Sequence, residues 1–237
     1  FFTTLKIIQE EHVAPERLLG SWAGAFGHTQ FMPSTFMQLA VDFDGDGRRD
    51  LVDSVPDALA STANFLKRAG WRSGLSWGFE VVLPKGFDTA GAGRRNKQAM
   101  QSWAARGVRR VDGSALPAAA TPAGLLLPAG AAGPAFLVTR NFDALYSYNA
   151  AESYALAIAH LADRLRGGAP LVTPWPTDDA GLSRAERREV QSLLLARGHD
   201  IGEPDGMIGA RTREALKRVQ GELGLVADGR AGQAVLK

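Results

Sequence analysis

The sequence predicts a mainly α chain of the α+β kind: a helical domain that carries a small strand and loop insertion, followed by a separate three-helix module. Three observations point there. Apolar residues recur at helical spacing on both sides of a middle segment, the segment between about residues 78 and 140 loses that period, and a proline-rich stretch then isolates a last block that reads helix, turn, helix, turn.

The opening "FFTTLKIIQEEH" places Phe2, Leu5 and Ile8 at helical spacing, and a mostly helical pattern runs on to Trp71, broken by the stretch Gly20 to Phe36 and by the acidic loop "DFDGDGRRDLVD". Within Gly78 to Val138 and its flanks, "GFEVVLP" and "AFLVTR" read as short strands, whereas "ALPAAATPAGLLLPAGAAGPA" reads as loop. Helix returns in "AAESYALAIAHLADRLRGG", with Tyr154, Leu156, Ile158, Leu161 and Leu165 as its apolar face and Gly167 as its stop. "APLVTPWPTDDAG" has the prolines of a linker. In the last block Ser183 is a good N-cap, with Glu186 at the capping-box position. The expected boundaries are a domain at 1–166 with its insertion at 78–140, a linker at 167–181 and a module at 182–237.

With 237 residues, 45% of them hydrophobic, the chain is long enough for one moderate core and a small second domain. No apolar run approaches the roughly 18 residues that a membrane helix needs, and no charged-then-apolar leader opens the chain. It has no initiator Met and begins inside a helical pattern, so a longer protein is expected, with any export signal or lipid anchor in the preceding part. Zero Cys excludes disulfides, thiolate metal sites and a thiol nucleophile. A net charge of +2 with a pI near 9.1 suits an anionic polymer partner.

The stretch "VDFDGDGRRDLVD" is the motif that physics alone interprets. Asp42, Asp44, Asp46, the backbone of Arg48, Asp50 and Asp53 occupy positions 1, 3, 5, 7, 9 and 12 of an EF-hand loop, with Gly47 at the sharp turn. Alternate carboxylates on a tight loop repel one another without a cation, so structural Ca2+ is expected. Asp53 stands where a longer Glu normally supplies two oxygens. Either the loop closes more tightly on it or Asp57 reaches back. A solvated acidic loop or helix cap is the alternative.

Before that loop lies "GSWAGAFGHTQFMPSTF", which mixes rings, small residues and one amide without helical or alternating period. Followed by the acidic loop, "DALASTANFLKRAGW" and later "RNFDALYSYNAAESYALAIAHLADRL", it resembles the MltB-type lytic murein transglycosylases, over residues 1 to about 166. The C-terminal block, above all "DGMIGARTREAL", resembles the small peptidoglycan-binding domain of cell-wall enzymes. The resemblance implies a lysozyme-like fold that cleaves the MurNAc–GlcNAc bond of peptidoglycan and gives 1,6-anhydromuramoyl products. By motif position Ser21 and Gln30 meet the sugars, and Phe31 and Met32 shape the wall. Tyr148, Asn149 and Tyr154 line the opposite side. Core packing is an equal reading for Phe31, Met32 and Trp22, helix capping is a rival for Asn149, and His28 reads as a polar rim residue. In the module Asp205, Gly206, Gly209, Arg211 and Thr212 are expected to grip a stem peptide through exposed backbone N–H groups; the rival is that Asp205 and Thr212 cap the following helix.

The family's mechanism uses one Glu, first as acid on the glycosidic oxygen and then as base on the C6 hydroxyl, in a Glu-Ser helix motif ahead of the region where this chain starts. The catalytic Glu is therefore expected upstream of Phe1, and the chain as it stands is expected to cleave nothing. Glu10, Glu11, Glu16, Glu80 and Glu152 read as solvated surface residues. Two positions depart from the family pattern: Ala151 stands where a Ser is usual, and Phe65 where a Tyr is usual. The implied partners are glycan strands and stem peptides, not nucleic acid. The implied setting is a periplasmic monomer, outer-membrane anchored through a preceding segment, with no organic cofactor. A non-catalytic peptidoglycan-binding protein is the alternative function.

Overall fold

Helical segments bracket a five-stranded antiparallel sheet in the computed structural model, which describes residues 1–117, 120–176 and 179–236. Ala118 and Ala119 of the Ala-Pro-Gly stretch, Thr177 and Asp178 of the linker, and Lys237 of the module lie outside the described residues. The chain divides into two compact units, Phe1–Leu75 with Asp143–Ala150, and Ser76–Phe142 with Ala151–Lys237.

In the first unit α1 (Phe2–Gln9), α2 (Pro33–Leu39) and α3 (Val55–Arg68) are joined by long irregular segments, with a 3-10 turn at Pro15–Arg17. Pro33 and Pro56 occupy first-turn positions, where a missing N–H costs nothing, and the Ser54 hydroxyl accepts from Asp57 N–H at the start of α3. The core gathers Ile7, Val13, Phe26, Phe31, Phe36, Leu51 and Ala58, with Phe65 and Tyr148 packed against it. The expected break in the helical pattern at Gly20–Phe36 is present, since residues 18–32 fold on glycines and backbone pairs. The expected face of α1 is also wrong: Phe2 and Leu5 are exposed, and the helix is held by buried Ile7.

The second unit contains β1 (Gly78–Val82), β2 (Lys97–Ala99), α4 (Met100–Ala105), β3 (Arg109–Arg110), β4 (Pro122–Leu126) and β5 (Ala135–Val138), in the sheet order β2-β4-β5-β1-β3. α5 (Arg140–Asn149) passes from this unit into the first, and α6 (Glu152–Leu165) returns. The two expected strands are β1 and β5, and they are neighbours with Phe79 opposite Leu137 and Val81 opposite Ala135. These four side chains join Leu125, Met100 and Trp103 in one core. On alternate positions Phe136 meets Trp77, which also meets Phe142. Both faces are covered, so the strands read as continuous apolar runs without alternation. That is why β4, within the segment read as loop, escaped detection. Trp103 secures it by donating its indole N–H to Ala123 O at 2.8 Å.

α6 buries Ala155, Leu156 and Ala159, while Tyr154, Ile158, Leu161 and Leu165 are exposed. Of the expected face only Leu156 is packed, and the rest of the buried stripe is alanine, which hydrophobicity alone does not single out. After it come α7 (Arg184–Ala196), α8 (Ala210–Glu222) and α9 (Gln233–Leu236), which share a core of Leu182, Val190, Leu194, Ile201, Ala215, Leu216 and Val219. The expected capping box is present: Ser183 Oγ accepts from Glu186 N–H at 3.2 Å, and Glu186 Oε2 accepts from Ser183 N–H at 2.6 Å.

Two glutamates expected at the surface are structural. Glu80 in β1 is only 7% exposed, and its carboxylate accepts from Val172 N–H at 2.8 Å and Thr173 N–H at 2.7 Å. Glu152 lies 3.6 Å from Arg94 and 3.9 Å from Arg213. A Glu80→Gln replacement keeps one acceptor but turns an amide N–H2 toward the other N–H donor. It should lower unfolding free energy by about 1–3 kcal/mol, measured by urea denaturation.

Candidate functional site

The segment from Gly20 to Phe36 is a double turn built around Phe26. Phe26 and Phe31 exchange both main-chain hydrogen bonds, at 3.0 and 3.1 Å, and Phe26 also bridges to Gly20. Gly27 has φ 74, and a side chain there would bring Cβ to 2.5 Å from Leu51 O, so only glycine fits. His28 N–H, next in the chain, donates to that same carbonyl at 2.8 Å. Gln30 adopts φ 53, unusual for a residue with a side chain, which closes the second turn. Thr29 O accepts from Tyr148 Oη at 2.7 Å, tying the end of α5 to the turn. Thr29 Oγ1 is buried with no hydrogen-bond partner.

This geometry sorts the expected sugar-contacting residues. Ser21, Gln30 and His28 are exposed, and Trp22 is fully exposed at 101%. Ser21 Oγ accepts from Ala25 N–H at 3.1 Å, so its own proton remains free to donate. Gln30 Nε2 donates to Gly27 O at 3.0 Å, leaving Oε1 free to accept. Met32 is 41% exposed. Phe31, by contrast, is buried at 2% against Phe65 and Tyr148, with ring centroids at 6.1 and 6.0 Å. It supports the surface from behind and forms no wall. Trp22 is correspondingly no core residue. Tyr148 and Asn149 end α5 just ahead of α6, and the N-cap of α6 is Ala151, which gives no side-chain cap. Asn149 is exposed and is not the N-cap of α6. Tyr154, on α6 in the second unit, is 43% exposed.

The acidic loop brings together part of its expected ligand set. Carboxylate oxygens of Asp42, Asp44 and Asp57 lie within 4.8 Å of one another. Asp57, 1% exposed, also accepts from Phe43 N–H and Asp50 N–H, both at 2.8 Å, and so staples the loop to α3. Asp42 accepts from Gly45 and Gly47 N–H at 2.7 and 3.0 Å. The other expected ligands are turned to other tasks. Asp46 accepts from Arg48 N–H, Asp50 from Val52 and Asp53 N–H, and Asp53 is paired with Arg17. Three converging carboxylates offer hard oxygen donors that fit calcium. Nearby, Arg49 N–H donates to His12 Nδ1 at 3.2 Å. Burial first, and then the Arg49 charge, push the His12 pKa down and keep it a neutral acceptor.

In the last block, the turn at Asp205 and Gly206 is gripped by Gln191, which is 1% exposed. Gln191 Oε1 accepts from Gly206 N–H at 2.6 Å, and its Nε2 donates to Asp205 Oδ1 at 3.3 Å and to Met207 O at 3.1 Å. Gln220 repeats the grip on the second turn: Gly229 N–H at 2.7 Å, Asp228 Oδ1 at 2.9 Å and Arg230 O at 3.2 Å. These two Gln–Asp–Gly brackets were missed in the sequence, although the two Asp-Gly pairs, one after each long helix, were the visible signal. The expected free N–H groups are used internally, since Gly209 N–H also donates to Met207 O. Neither Asp205 nor Thr212 caps α8, whose N-cap is Gly209; Thr212 is buried and Arg211 lies 3.5 Å from Asp200.

Met207 N–H and Gln191 together lower the Asp205 pKa. A lowered folded-state pKa adds stability that is present above the ordinary carboxylate value and lost as pH falls through the folded value. The Tm gap between wild type and Asp205→Asn should therefore be open at pH 7 and close steadily toward pH 2.

Comparison with known proteins places these features. Residues 1–163 match the family described as transglycosylase SLT domain, and residues 183–237 match a peptidoglycan binding domain. Membrane-bound lytic murein transglycosylase B of Escherichia coli (strain K12) is 46% identical over 92 residues, 37% of this chain and 25% of that protein. The crystal structure of SltB3 from Pseudomonas aeruginosa in complex with NAG-anhNAM-pentapeptide is 51% identical, with a TM-score of 0.94, over 99% of this chain and 63% of that one. The Escherichia coli lytic transglycosylase Slt35 in complex with calcium is 31% identical, with a TM-score of 0.56, over 69% of this chain and 51% of that one.

Proposed function

The chain belongs to the transglycosylase SLT domain family, and from that premise we propose that it is the glycan-gripping part of a lytic murein transglycosylase that cleaves between N-acetylmuramic acid and N-acetylglucosamine and leaves a 1,6-anhydromuramoyl end. The observation that carries this reading is the turn around Phe26, which holds exposed Ser21 and Trp22 on one side and Gln30 on the other. The Trp22 ring suits the C–H face of a sugar. Ser21 has a hydroxyl proton to give and Gln30 Oε1 a lone pair to accept an N-acetyl N–H. Met32, Tyr148, Asn149 and Tyr154 complete the proposed substrate set, while Phe31 fixes the turn from inside.

Bond cleavage needs a proton for the glycosidic oxygen, and ring closure needs the C6 hydroxyl proton removed. Among the described glutamates Glu10 is engaged by Lys6, His12 and Arg49, Glu80 by two amides and Glu152 by two arginines. We assign the acid to a carboxyl group outside residues 1–237, in keeping with a chain that spans 63% of SltB3. Residues 1–166 would form the catalytic-type domain, 167–181 the linker and 182–237 a module for stem peptides.

A calcium ion is proposed at Asp42, Asp44 and Asp57, with Asp46, Arg48, Asp50 and Asp53 as the outer part of the loop. Its chemistry would be structural, neutralising the converged carboxylates. A periplasmic monomer, anchored through a preceding segment, completes the proposal; among the described residues no helix is long and apolar enough to cross a membrane.

Two measurements test this. Calcium added to chelator-treated protein should raise Tm, by roughly 2.7 kcal/mol of stabilisation at 100 times Kd, and Asp42→Ala with Asp44→Ala should remove the shift. Sacculi digested with residues 1–237 should release no 1,6-anhydromuropeptides by mass spectrometry, whereas a protein extended upstream should release them. If the extended protein is silent yet pellets with sacculi, the chain is a binding protein.

A further inference from the structure

A cleft of about 440 Å³ runs within the second unit, between the β4 side of the sheet and helices α7 and α8. Its apolar lining is Leu126, Leu127 and Pro128 on the sheet side, with Ile208 from the side of the last block. Four cations and three carboxylates also line it. Three of the cations are already neutralised: Arg213 lies 3.9 Å from Glu152, Lys217 2.9 Å from Glu214, and Arg230 3.6 Å from Asp179. Arg187, in the first turns of α7, is the exception. Its half-buried side chain has no ion pair among the described residues, and its Nε is buried with no hydrogen-bond partner.

We propose that this cleft binds the terminal carboxylate of a short peptide, with Arg187 as the anchor. A guanidinium with no counter-charge favours a planar carboxylate, which its two Nη groups, left uncovered while Nε is sealed, can meet with parallel hydrogen bonds. The volume falls in the range of small-ligand sites and suits the last few residues of a peptide. The apolar wall suits small side chains, and a neutral sugar would leave the charge uncompensated. The site is distinct from the Asp205 turn, whose N–H groups are consumed internally. The assignment rests on the peptidoglycan reading above and gives the stem peptide a place to end.

The test is isothermal titration of residues 1–237 with three probes: NAG-NAM-pentapeptide, the same compound as its C-terminal amide, and the NAG-NAM disaccharide. The acid should bind about tenfold more tightly than the amide. Arg187→Ala should erase that preference, Arg187→Lys should keep part of it, and neither should change disaccharide affinity or Tm. Equal binding of acid and amide by the wild type, or a preference that survives Arg187→Ala, overturns the proposal. Disaccharide binding without any gain from the peptide sinks the cleft alone. Failure of all three probes sinks the peptidoglycan reading with it.

Discussion

The main-chain pair between Phe26 and Phe31 is the constraint on which the first unit depends. It drives two phenyl rings into the core and leaves the four residues between them to turn outside it. Gly27 must then press on the Leu51 carbonyl, Gln30 must take a left-handed backbone, and Thr29 must offer its carbonyl to Tyr148. The strain of a left-handed glutamine costs on the order of 1 kcal/mol and persists because packing on both sides overdetermines it. The exposed polar groups of the turn are thus held by buried rings, and the acidic loop is registered against the same Leu51 carbonyl.

What the sequence made legible were features with a local cause. The Ser183–Glu186 box, strands β1 and β5 and the spaced aspartates all announce themselves within a few residues. What stayed hidden was set by partners far along the chain. Glu80 looks like any strand carboxylate until Val172 and Thr173 arrive from more than ninety residues away. Asp53 is drawn off by Arg17, and Asp57, a turn into α3, takes its place beside Asp42. The face of α1 and most of that of α6 were misjudged because hydrophobicity ranks side chains, whereas close packing selects Ile7 on one helix and two alanines beside Leu156 on the other.

The last block shows how polar residues can specify a small fold. Its two long helices each bury a glutamine whose amide satisfies an N–H, a carboxylate and a carbonyl of the turn that follows. A buried amide is costly unless every group finds a partner. Here each partner sits on the same short turn, so the turn cannot slip by one residue without leaving the amide stranded. The core leucines and valines supply cohesion, and the glutamines supply register.

The grip of Glu80 on Val172 and Thr173 also sets a length. At its other end the connector is sewn to the last block, where Gly181 bridges to Gly232 and Ala180 O accepts from Gln233 N–H. Its two anchors, Thr173 on Glu80 and Asp179 on Ala234 N–H, are six positions apart, a reach on the order of 20 Å at most. A leash this short keeps the block at high local concentration beside the sheet. Ligand contacts made by the two then add with little loss of entropy, as in a tightly coupled bivalent binder. The buried carboxylate of β1 thereby acts as the knot that decides how much rope the chain has.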